Sequence, residues 1–127
     1  FVAVNAIKGA ASNRDRSKTA LDNEDFASST RLSGEFHMEL AAVSGHQALL
    51  GVLRTLISNS YLVVALYQKR ANRACARHDH SAIVDRLEAR DLAGLQVHMA
   101  KHFSHIFNEL DLSENKTRAR LDKALFD

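Results

Sequence analysis

The chain has 127 residues, 46% hydrophobic and 25% charged, which is typical of a globular domain and excludes a disordered chain. Its formal net charge of +2, with scattered Lys and Arg, argues against a nucleic-acid-binding surface. No apolar run approaches the roughly 18 residues of a membrane span, no signal peptide is visible, and the single cysteine, Cys75, excludes an internal disulfide. Because proline is absent and glycine is sparse, we predict an all-α fold, an antiparallel helical bundle of about six helices in one domain, residues 1–127.

The first half of the chain predicts three segments. Residues 1–11 are apolar and predict a short helix, whereas the polar residues 12–24 predict a loop or a poorly anchored helix. From Asp25 onwards, inward-facing residues recur every three or four positions and predict a helix that stops near Ser44. Gly45 favours the left-handed conformation that ends helices.

Residues 47–70 form the longest and most apolar stretch. One stripe of this predicted helix consists of Leu50, Leu53, Ile57, Tyr61 and Val64, and other apolar residues surround it on several sides. A helix that is apolar all round is either central to its bundle or lies at a subunit interface, and the sequence leaves both open. The basic residues 69–78 predict a connection.

The second half predicts three more helices. One begins near Asp79 and ends near Arg90, and Asp91 caps the next, which runs to Leu110. Because their joint is tight, these two helices should lie antiparallel. A charged last helix is expected over residues 113–126.

Seven histidines stand out in the composition, and three of them interrupt stripes that are otherwise apolar. His37, His80 and His102 lie on three different predicted helices, each at an inward position. Burying an imidazole without partners costs about 1–3 kcal/mol, so three together need a shared solution. A divalent metal, zinc or nickel above all, is the simplest, and three hydrogen-bonded core histidines are the alternative.

The remaining histidines predict surface or supporting roles: His46, His78, His98 and His105. No set of nucleophile, base and orienting group is recognisable, so we predict that the chain is not an enzyme. A metal-dependent hydrolase on a helical bundle is the competing interpretation, but it would need a placed carboxylate or proton shuttle. A plain dimerising module without ligand is the third.

Three segments together resemble the ligand-binding C-terminal (FCD) domain of the FadR subfamily of GntR transcription regulators. They are RLSGEFHMELAAVSGHQALLGVLRTL, HDHSAIVDRLEARD and HMAKHFSHI, and the resemblance covers roughly residues 25–110. His37, His80 and His102 fall on the family's three histidine positions. Ser33 stands where the family often has a metal-binding aspartate, which implies a more positive site in which the serine holds a water or the effector.

The resemblance also implies a function. The domain would bind a small carboxylate effector through a divalent metal held by the three histidines. Arg54 is a candidate second clamp for the anionic effector. The resemblance further implies a winged helix-turn-helix domain before Phe1, which would bind operator DNA as part of a cytoplasmic homodimer with no membrane attachment.

Overall fold

The computed structural model describes residues 2–69 and 75–113, with single positions at 119, 122, 123 and 125; side chains are described from residue 4 and, in the second stretch, from residue 80. These ranges contain five helices, α1 (Val2–Asp22), α2 (Phe26–Ala42), α3 (Gln47–Tyr67), α4 (Cys75–Glu88) and α5 (Leu92–Asn108). They hold no β-strand, so the all-α prediction is confirmed. The predicted last helix, 113–126, falls mostly outside the described residues.

The core joins four of the five helices. Its centre is formed by Ala10 of α1, Phe36 of α2, and Ile83 and Val84 of α4. Partly buried apolar side chains extend this cluster, including two from α5: Ile7, Ala11, Leu40, Leu87, Leu95 and Met99. The fold therefore packs α1, α2, α4 and α5 around one interior.

Helix α1 is longer than the sequence predicts. Of the two alternatives for residues 12–24, the loop is wrong, because α1 continues to Asp22. Asn13 is buried, and the Ser17 hydroxyl donates to the Ser29 carbonyl oxygen at 3.2 Å. Tertiary contacts with α2 thus hold a segment whose own helix propensity is weak.

The predicted ends of α2 are confirmed. The Asp25 side chain accepts a hydrogen bond from the Ser28 amide at 3.1 Å, which satisfies one of the free N–H groups at the start of the helix. Gly45 has a φ of 64°, the left-handed conformation that favours glycine after a helix. His46 then caps the start of α3, because its Nδ1 accepts a hydrogen bond from the Leu49 amide at 3.2 Å.

Helix α4 begins earlier than predicted. Its first residue is Cys75, so Asp79 lies one turn inside the helix and is not its N-cap. The residues from Cys75 to His78 include Ala and Arg, which favour helices, and neither Gly nor Pro. The side chains of Cys75 and Asp79, and the connection at 70–74, lie outside what the structure describes.

Helix α3 has no buried residue, so the interpretation that places it at the centre of the bundle is wrong. It packs on α2, where the Tyr61 hydroxyl donates to the Arg31 carbonyl oxygen at 2.7 Å. Gly34 makes this contact possible, because a Cβ there would lie 1.8 Å from the Tyr61 oxygen. The prediction that no apolar run approaches the length of a membrane span is wrong for α3, which by length and composition alone could cross a membrane. One such helix is weak evidence for a membrane protein.

Candidate metal centre

Three histidines from three helices meet beside the core. His37 lies on α2, His80 on α4 and His102 on α5. The Nε2 atoms of His37 and His102 are 3.2 Å apart, and one ring nitrogen from each of the three residues lies within 4.8 Å of the others. His80 and His102 are buried and His37 is partly buried. The structure thus brings together the three histidines that the sequence places at inward positions on separate helices.

The joint between α4 and α5 brings His80 and His102 together. The helices are separated only by Ala89–Asp91, and they pack directly against each other. As predicted, Asp91 caps α5, with its carboxylate accepting from the Gly94 amide at 2.9 Å. A short joint with a fixed helix start holds the two imidazoles in one place.

Two phenylalanine rings enclose the histidines. Phe36 stacks on His80 with ring centroids 4.3 Å apart and an angle of 11° between the planes. Phe103 lies 5.8 Å from the His37 ring and 5.4 Å from the His102 ring, measured between centroids. Sequence reasoning did not assign Phe103 to the site, although its position directly after an inward histidine was a usable signal. The two rings give the histidines apolar neighbours, Phe36 from the buried core and Phe103 from a position that is 55% exposed.

Burial keeps the imidazoles of His37 and His80 neutral. Burial, followed by repulsion from His102, lowers the pKa of His37 to about 4. Burial, followed by repulsion from the other two histidines, lowers the pKa of His80 to about 2. At neutral pH both rings carry a free lone pair, the form in which histidine binds a metal.

The donor set fits a divalent ion. Two nitrogens that each bind one ion at about 2.1 Å lie roughly 3.0–3.4 Å apart, and the His37–His102 pair, at 3.2 Å, matches. The buried Nε2 of His80 finds no hydrogen-bond partner among the described residues, so a ligand would satisfy it. No carboxylate from the described ranges joins the cluster. Three neutral ligands would leave an ion its full charge and open coordination positions.

The two predicted effector residues lie on different helices. Ser33 is partly buried on α2, one turn before His37 and on the same face of the helix. Arg54 is exposed on α3. Neither role is tested by the structure, and both stay predictions.

The other described histidines lie apart from the cluster. His46 caps α3 and is exposed, and His98 is partly buried. His105 is also exposed and forms an ion pair of 2.9 Å with the buried carboxylate of Glu109. Gln68 donates to the same carboxylate at 3.3 Å, so this group ties the end of α3 to the end of α5. The predicted surface positions of His46 and His105 agree with the structure, and the His78 side chain is not described.

Comparison with known proteins gives one match. The family model described as the FCD domain matches residues 4–105, more than three quarters of the chain. All three clustered histidines lie within the matched range. No curated protein and no solved structure matches the chain.

Proposed function

Because the chain belongs to the FCD domain family, we propose that it is the effector-sensing domain of a bacterial GntR-type transcription regulator. The resemblance seen in the sequence is confirmed by the family match, and FCD domains are regulatory ligand-binding domains. The observation that carries the proposal is the convergence of His37, His80 and His102 inside the matched range. In this proposal the histidines hold a divalent metal, zinc or nickel, and the metal site receives the effector.

The residues around the histidines favour an anionic effector. A divalent ion, when bound, supplies positive charge and open coordination positions that suit a small carboxylate. With three neutral imidazoles and no carboxylate in the described cluster, nothing there offsets that charge. Ser33, in the position of the family's aspartate, is proposed to hold a water or the effector through its hydroxyl, and Arg54 to bind a second anionic group.

The regulator as a whole is proposed to work as a cytoplasmic homodimer. A winged helix domain on the same protein would bind a palindromic operator, and the domain described here would set the distance between two such heads. Effector binding shifts this placement only if the effector binds one arrangement more tightly than the other. The histidines come from α2, α4 and α5, so a ligand that bridges them acts on three helices at once.

The competing function, a metal-dependent hydrolase, has less support. Such an enzyme needs a base or a proton shuttle beside the open coordination positions. The cluster contains three histidines and, among the described residues, no acidic side chain. The family match also favours a regulator over an enzyme.

A thermal-shift screen tests the proposal. Small carboxylates are added to the chain with zinc, with nickel, or with a chelator, and at least one is expected to raise the Tm only when metal is present. The Ser33→Asp variant should bind metal more tightly and the carboxylate more weakly, because it places a negative charge at the site. Ser104→Asp, exposed on α5, is the matched control and should bind both as the wild type does. If no carboxylate raises the Tm in any metal condition, the proposed effector class is wrong.

A further inference from the structure

Helix α3 carries two apolar seams, and α2 packs against only one of them. The first seam consists of Leu50, Leu53, Ile57, Tyr61 and Val64, all of them partly buried. The second seam consists of Leu49, Val52, Leu56, Asn59, Val63 and Leu66. Val52 is 60% exposed and Leu56 is 57% exposed. One apolar side of α3 is therefore packed, and the other, from Leu49 to Val63, is exposed to solvent.

The second seam has the spacing of a two-stranded coiled coil. Its residues follow one another at intervals of three, four, three, four and three positions, the a and d positions of successive heptads. From Leu49 to Leu66 the seam runs for about 26 Å along the helix. The only polar member, Asn59, lies at a d position near the middle. This pattern is suited to another helix with the same pattern.

The charge distribution favours a second copy of the same chain. Arg54 is the only charged residue of α3, and it lies two positions before Leu56, on the other side of the helix from the second seam. Since the seam itself is uncharged, two identical seams meet without repulsion. A closed two-fold pair buries the same patch on both copies, so a self-compatible patch is what such an interface needs.

A lipid bilayer is the weaker explanation of the same apolar surface. Arg54 and Asn59, with Ser58 and Ser60, lie in the middle of α3, where a spanning helix would place them near the bilayer centre. The other face of the helix is held on α2 through Tyr61. Both features suit a helix at a protein interface.

We propose that the second seam is the homodimer interface, with α3 of one copy packed against α3 of another around a two-fold axis. The proposal rests on the proposed function in one respect, the homodimer, and gives that homodimer its surface. It does not depend on the metal or on the effector.

Sedimentation of the whole chain tests the interface. The wild type should sediment with twice its mass of 14.1 kDa, and Leu56→Glu and Val52→Glu should each sediment as single chains. Val97→Glu replaces a residue of α5 that is 54% exposed, and it should remain a dimer as the matched control. Far-UV circular dichroism should show the same helical content in all four proteins, because the changed positions are exposed.

The interface proposal is overturned if both α3 variants remain dimers or if the wild type is a single chain. Binding of a single-chain wild type to phosphatidylcholine vesicles would assign the seam to a membrane instead. Metal uptake, measured on the same samples, separates the two proposals. A dimer lost in the α3 variants while metal uptake persists supports both, whereas a single-chain wild type that takes up metal and carboxylate overturns the interface alone.

Discussion

Helices α1 and α3 are both 21 residues long and both pack against α2, yet α1 is mainly polar and α3 is mainly apolar. The polar helix α1 buries Ala10 and Asn13, while the apolar helix α3 buries no residue. Mean polarity therefore does not decide which helix enters the core of this fold. What decides it is whether one face matches its neighbours, and an apolar helix that matches only one neighbour keeps a surface for another partner.

The largest expected difference in stability is between a substitution in the buried face of α2 and one in the exposed face of α3. Phe36→Ala should lower the free energy of unfolding by about 3–5 kcal/mol, because it empties a fully buried position and removes the ring stacked on His80. Leu62→Ala, at a position that is 63% exposed on α3, should change it by no more than about 0.5 kcal/mol. Urea unfolding monitored by circular dichroism measures both. Equal losses would mean that α3 contributes to the core as α2 does.

Acid should weaken the histidine side of the molecule in the absence of metal. The folded-state pKa values of His37 and His80, about 4 and about 2, lie below the ordinary value of 6.5. As the pH falls, the unfolded chain therefore takes up protons on these histidines before the folded chain does. Stability is then complete above pH 6.5 and falls as the pH drops from 6.5 towards 4, by up to about 1.4 kcal/mol per pH unit for each histidine.

Urea unfolding at a series of pH values, with a chelator present, measures this slope. The His37→Gln variant should show a shallower slope, because one of the two titrating groups is gone. The control His98→Gln should keep the wild-type slope, because His98 lies outside the cluster. A wild-type protein equally stable at pH 7 and pH 5 would contradict the neutral cluster.

A glycine pair probes the contact between α2 and α3. Gly34→Ala should destabilise the chain by about 1–3 kcal/mol, because the new Cβ would lie 1.8 Å from the Tyr61 oxygen and must push α3 away. Gly51→Ala on α3 meets nothing within 4 Å and should stabilise it by about 0.5–1 kcal/mol through helix propensity. Thermal unfolding of the two variants measures the difference. Two stabilised variants would mean that α3 is not held on α2 through Tyr61.

The smallest expected effect concerns the helix starts. Asp91→Ala removes the cap of α5 and should lower the Tm by less than Gly34→Ala does, because only one turn of the helix loses a hydrogen-bond acceptor. Asp85→Ala, exposed inside α4, is the control and should leave the Tm close to that of the wild type. An unchanged Tm in Asp91→Ala would show that the short joint alone fixes α5.

Local signals in the sequence predicted local structure well. Asp25, Gly45 and Asp91 mark helix ends because a carboxylate acceptor or a left-handed glycine acts within a few residues. The inward positions of the three histidines followed from helical periodicity in the same way. His37 and His102, which lie 65 positions apart in the sequence, approach to 3.2 Å. The sequence could not predict this distance, because periodicity places a residue on one face of a helix and gives no distance between helices.

The wrong predictions concern segments that depend on distant partners. Residues 12–24 are polar, and α1 extends through them because Asn13 and Ser17 find places against α2. Helix α4 starts at Cys75, one turn before the start near Asp79 that the sequence predicted. The first and the second seam of α3 both have helical spacing, so the sequence could not predict which of them packs against α2.

Metal stoichiometry shows directly whether the three histidines form a metal site. Elemental analysis of the freshly purified chain, followed by titration with zinc and nickel, should find one divalent ion per chain. The His80→Ala/His102→Ala variant should lose that ion, and the control His98→Ala/His105→Ala, on the same α5 but outside the cluster, should keep it. Absence of metal in the wild type with no uptake on titration, or equal uptake by the two double variants, would contradict the account and leave a neutral histidine network beside the core.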